Sequence, residues 1–195
     1  MRKASLTVAA VCAALLWAGV AHAQRFTDNG DGTVTDHQSG LMWEKKTSAG
    51  SGGVHDVNKK YTWSNGTDFV PSGTAFTVFL ATLNNGADEN AGYTPGGEPI
   101  DSPITGCFAN HCDWRLPSIV ELKSIKAARC PTVPCIDPAF GPTQADTYRS
   151  CTTHIANTTL TRNVNFRDGK NQLLSKTDGA YVRAVRSGDC QSIIR

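Results

Sequence analysis

Six cysteines lie in the second half of this 195-residue chain, and they constrain its fold more than any other feature. They are Cys107, Cys112, Cys130, Cys135, Cys151 and Cys190, while the seventh, Cys12, stands apart near the N-terminus. An even number of cysteines in an exported chain reads as a disulfide framework. Six of them allow fifteen pairings, and the sequence alone does not select one. Proximity suggests Cys107–Cys112 and Cys130–Cys135, each with four residues between, which leaves Cys151 to reach Cys190. In the chain-entropy account a bridge over that last, longer loop stabilises the fold by about 3–4 kcal/mol. The competing reading is zinc, since His111 adjoins Cys112, but no paired C-x-x-C accompanies it.

The N-terminus bears on the compartment. Arg2 and Lys3 precede an apolar run from Leu6 to Val20, and Ala21-His22-Ala23 fits the small-x-small rule for cleavage before Gln24. Residues 1–23 are therefore expected to be a signal peptide, and 24–195 one domain of 172 residues. The run is short for a membrane span, and no later stretch approaches the roughly 18 apolar residues one needs, so no span is expected after processing. Of 19 basic residues two leave with the leader, so 17 remain against 17 acidic ones. A neutral mature surface argues against nucleic acid as the partner. With 39% hydrophobic residues and four tryptophans the chain can build a core. The expected location is the periplasm, the cell surface or the outside.

Local signals outline an α+β domain. Asn29-Gly30 and Asp31-Gly32 mark a tight turn between Phe26 and Val34. Calcium is the alternative occupant there, but glycines stand where an EF-hand loop needs ligands. Ser39-Gly40-Leu41-Met42-Trp43-Glu44 reads as a turn into a buried strand, and 45–73 as a polar loop. Phe76, Phe79, Leu80 and Leu83 predict a helix capped by Ser72 or Thr74 and ended by Asn84-Asn85-Gly86. Residues 86–106 read as a second long loop. Ser118-x-x-Glu121 is a capping box opening a helix that the pattern carries to Cys130-Pro131. Strands are expected over 148–155, 160–166 and 180–185, with a hairpin turn at Asp168-Gly169. The expected architecture is two helices, short and mostly antiparallel strands, long loops and three disulfides.

Five strings, in order, resemble the Lcl C-terminal domain family. They are Arg25 to Asp36 (RFTDNGDGTVTD), Ser39 to Trp43 (SGLMW), Asp113 to Leu122 (DWRLPSIVEL), Ile136 to Phe140 (IDPAF) and Tyr181 to Arg186 (YVRAVR). The resemblance implies a C-type-lectin-like fold, similar also to the formylglycine-generating enzyme group, and an exported binding module rather than a catalyst. A relative whose domain ends a collagen-like adhesin implies sulfated glycosaminoglycan as a ligand class, although no Gly-X-Y tract occurs here. This chain departs from the family at Tyr148-Arg149-Ser150-Cys151, where Tyr-Trp-Ser-Ser is frequent. The string Glu98-Pro99-Ile100-Asp101 resembles the Glu-Pro-Asn triplet of calcium-dependent lectins, with Ile100 in place of the liganding amide.

The chemistry points the same way. The sequence has no nucleophile elbow, zinc-protease helix, P-loop or dinucleotide fingerprint, and its histidines are scattered, so no enzyme is expected. Trp43 and Trp114 read as core, and Arg115 as the partner of Asp113 or Glu121. For a sulfated or acidic polysaccharide the candidate residues are Lys45, Lys46, Lys59, Lys60, Arg183 and Arg186, because guanidinium groups fork onto sulfate or carboxylate oxygens. No resident cofactor is expected. A cell-surface protein is the alternative partner, with the chain then an assembly component of the envelope or of an appendage.

Overall fold

The structure is a computed structural model, and it describes residues 24–85 and 106–187. The leader, the string at 98–101 and Cys190 lie outside the described residues. Two antiparallel sheets and two short helices make up the α+β body. The first sheet is ordered β1 (Phe26–Asp28), β2 (Thr33–Asp36), β3 (Leu41–Glu44) and β8 (Val185–Arg186). Its first turn forms as the Asn-Gly and Asp-Gly pairs direct: Gly30 and Gly32 take φ of 79° and 87°, a region that side chains disfavour. Asp28 and Asp31 accept hydrogen bonds from the amides of Gly30 and Thr33, at 3.1 and 3.0 Å. These carboxylates thus serve the turn itself.

The second sheet is built on one nine-residue strand, β6 (Asn157–Asn165). β4 (Thr147–Tyr148) and β5 (Thr153–His154) pair with it, and β7 (Lys170–Ser175) follows the hairpin turn. The single strand expected over 148–155 is therefore two short ones. Between them Ser150 and Cys151 leave the sheet, and the Cys151 amide donates to the Pro117 carbonyl at 2.8 Å. Residues 180–184 likewise change partners from one residue to the next, Ala180 bridging Tyr61 and Tyr181 bridging Tyr148, so only Val185–Arg186 is a strand.

Helix α1 (Ala81–Asn85) continues a π-helical segment, Ala75–Leu80, that buries Phe79 and Leu80. Helix α2 (Ile119–Ser124) carries the expected capping box: the Glu121 amide donates to Ser118 Oγ and the Ser118 amide to Glu121 Oε2. It buries Ile119 and Leu122 and stops at Ser124, short of Cys130. The Ser124 hydroxyl turns back to the Glu121 carbonyl at 2.7 Å, and Lys126 is drawn into a bridge with Ile136 by the loop that Cys130–Cys135 closes. Tertiary pairing overrides helical spacing here.

Two apolar clusters fill the body. Trp43, Leu122, Phe140 and Val164 belong to the first, and Tyr61, Phe79, Trp114 and Val182 to the second. Cys107–Cys112 and Cys130–Cys135 are both bonded, which removes the thiolate that zinc would need beside His111. Cys151 is also disulfide-bonded, and its expected partner Cys190 falls beyond the described residues.

Candidate functional site

The six basic residues nominated by the sequence divide into two groups. Lys46 and Arg183 point inward and meet at Glu44, the last residue of β3. Glu44 Oε1 accepts from Lys46 Nζ at 2.7 Å and faces His55 Nδ1 at 2.8 Å, while Oε2 accepts from the Ala184 amide at 3.0 Å. Burial opposes ionisation of this carboxyl, but Lys46 and His55 outweigh it and hold its pKa down to about 2. Burial also pulls the pKa of Lys46 below the usual lysine value. Arg183 spends its guanidinium on main-chain carbonyls and one hydroxyl: Nη1 donates to Glu44 O at 2.6 Å and Phe140 O at 3.2 Å, and Nη2 to Pro142 O at 3.3 Å and Thr143 Oγ1 at 2.9 Å. These charges tie β3 to the 180–185 segment, and neither cation is presented to a polymer.

The other four are nearer solvent, and three of them pair with a carboxylate. Lys45 pairs with Asp28, and Lys60 with Asp146 at 3.1 Å, above the Tyr181 ring. Arg186 pairs with Asp113 at 2.8 Å, whereas the exposed Lys59 makes no ion pair among the described residues. Arg115 takes Glu121 at 2.6 Å, so one carboxylate both caps α2 and binds an arginine. Arg149 is buried as well, donating to Thr161 Oγ1 at 2.8 Å and to the Asp178 carbonyl at 2.5 Å, with burial lowering its pKa to about 10.

Arg162 behaves differently. It lies on β6 between the inward-facing Thr161 and Asn163, and its guanidinium makes no hydrogen bond or ion pair among the described residues. The hairpin register sets Arg162 across from Leu173 and Val164 across from Asn171, so Arg162, Leu173 and Asn171 share a face of the sheet. There they line an open groove of about 320 Å³ together with His154, Ile155 and Gln172. The His154 ring has no hydrogen-bond partner among the described residues, and its Nδ1 is buried. Ile155 and Leu173 are 66% and 50% exposed, two of the five large apolar side chains that the described residues leave to solvent. The Gln172 carbonyl oxygen is taken by Thr147 and by Asn165 Nδ2 at 3.3 Å, whereas the Asn171 amide is uncommitted. A free cation, an uncommitted amide and an aliphatic floor can together bind a small polar anion.

The family model of the Lcl C-terminal domain matches residues 32–186, most of the chain. The chain belongs to the Lcl C-terminal domain family. No curated protein matches it. The Lcl C-terminal domain region takes in both sheets, both helices, the Glu44 network and the groove, and leaves out only β1 among the strands. The Tyr148-Arg149-Ser150-Cys151 departure falls in the interior, since all four residues are buried and Arg149 supplies hydrogen bonds there. Its consequence is thus for packing. Among the described residues no group of histidine, cysteine and carboxylate side chains is gathered that could hold a metal, and no helix is long and apolar enough to cross a membrane.

The sequence reading set His154 aside with the other scattered histidines, took Leu173 only as a flank of the hairpin turn, and did not single out Arg162 or Asn171. Hairpin counting alone would have misplaced the pair: a two-residue turn at Asp168-Gly169 sets Arg162 opposite Ser175, whereas the observed four-residue turn over 166–169 sets it opposite Leu173.

Proposed function

We propose that this Lcl C-terminal domain protein is an exported, non-catalytic binding module for an acidic polymer, with polyanionic glycan the chemistry that suits it best. The observation that carries this reading is Arg162, a guanidinium with no partner among the described residues in an open groove, whereas Lys45, Lys46, Lys60, Arg183 and Arg186 are spent on carboxylates and carbonyls. The leader-like N-terminus and the two described disulfides support export, and the family supports a lectin-like body. Heparin-affinity chromatography of the processed protein across a salt gradient tests the reading. Retention at low salt with elution as salt rises is the expected result, and flow-through at low salt would remove the glycan version.

A second reading rests on β7. Among the described residues this six-residue strand pairs only with β6, so its far edge offers main-chain groups to another extended chain. In that case the protein is an assembly component of the envelope or of a surface appendage. Stoichiometric co-purification with one protein, together with silence on glycan arrays, would favour it.

A further inference from the structure

We infer that the groove on the second sheet holds a single acidic sugar unit, gripped by its carboxylate at Arg162, and so reads one ring rather than the charge density of a chain. This rests on the binding-module reading and names its ligand more narrowly.

Three features of the groove lead there. First, its lining contains one cation, Arg162, and no lysine. Reading a sulfated chain by charge density needs several cations spaced within a screening length of roughly 8–10 Å, whereas a lone guanidinium fork matches one carboxylate through two parallel hydrogen bonds. Second, a volume of about 320 Å³ sits at the low end of small-ligand sites, roughly 300–1,000 Å³, which leaves room for one ring. Third, the remaining lining mixes aliphatic and hydrogen-bonding side chains. Ile155 and Leu173 offer an aliphatic surface to the C–H face of a sugar. Asn171, free to donate and accept, and the unpartnered His154 ring offer partners to ring hydroxyls. An acidic peptide would supply the carboxylate but few hydroxyls for these neutral groups, so a polyhydroxylated acid fits the lining better.

The test is a chemical-shift titration of the processed protein with sodium glucuronate, glucose, the tripeptide acetyl-Gly-Glu-Gly and heparin in turn. Glucuronate is expected to bind at least about tenfold more tightly than glucose or the peptide, with shifts centred on residues 154–155, 162 and 171–173. Arg162→Ala should weaken glucuronate about tenfold or more, Arg162→Lys by less, and Arg129→Ala, which removes an exposed arginine outside the groove, should change nothing. Thermal transitions of the variants, expected to match the parent, separate lost binding from lost folding. Glucuronate binding that is mild in its salt dependence supports a single ion pair. Glucuronate no tighter than glucose, or indifferent to Arg162→Ala, overturns the inference. So does a preference for the peptide. Heparin binding that survives Arg162→Ala, with no response to glucuronate, overturns the inference while leaving the wider glycan reading in place. No response to any of the sugars removes both.

Discussion

Arg183, in the segment leading into β8, and Arg162, on β6, are the same residue type, and their surroundings give them opposite work. Arg183 lies among apolar neighbours, is fully buried, and has its charge met by Glu44 and main-chain carbonyls. Arg162 keeps its guanidinium in an open groove with no counter-charge among the described residues. A buried cation must be matched by the protein at the cost of much of its attraction for anything else. An unmatched one at the surface retains that attraction for a ligand. Counting basic residues along the sequence does not separate these cases, whereas asking which of them lacks a partner does.

The sharpest way to break the comparison is at Glu44. Glu44→Ala leaves Lys46 buried without its ion-pair partner and removes the nearby negative field from Arg183, and should cost about 3–5 kcal/mol, read as a lower urea midpoint at unchanged slope. A loss below about 1 kcal/mol would show that water or rearrangement compensates the two cations, and the interior half of the contrast would fail.

Acid probes the same network more gently. The carboxyl of Glu44 is depressed from 4.5 to about 2 in the folded chain, so its contribution is fully present above pH 4.5 and is lost as pH falls towards 2. Unfolding free energy measured across that window should decline, and the decline should be shallower in Glu44→Gln. Equal slopes in both proteins would assign the acid sensitivity to other carboxylates.

Smaller effects calibrate the scale. Ser118→Ala removes the side chain that caps α2 and should lower stability by about 1 kcal/mol in thermal or urea unfolding. At the far end, Arg162→Ala should leave stability within about 0.5 kcal/mol of the parent, since it breaks no contact among the described residues. A substantial destabilisation there would mean that Arg162 has structural work after all, and the two arginines would no longer stand in contrast.

Local chemistry was legible in the sequence. The capping box, both hairpin turns, the buried strand with Trp43 and the two short disulfide loops each depend on residues within a few positions of one another. What escaped depends on distant partners. Helix α2 ends early because Lys126 bridges Ile136, ten residues on. Lys45-Lys46 reads as an exposed dyad until Glu44 is known to face inward, and Lys46, two residues beyond it, follows. Arg183 carried its own hint, being set between Val182 and Ala184 in an apolar run. The groove needed both hairpin register and the placing of β5, which a short, bulged strand does not announce.

Gly169, at the tip of the β6–β7 hairpin, is pressed against the Cys130–Cys135 bridge. A methyl group added there would come within 3.0 and 3.2 Å of the two sulfur atoms and would also strike Lys126, and its φ of 70° already disfavours any side chain. Losing the cysteines would remove the two sulfur contacts but neither the positive φ nor the Lys126 contact, so glycine remains the residue suited to this hairpin tip, and with it the register that sets Arg162 opposite Leu173.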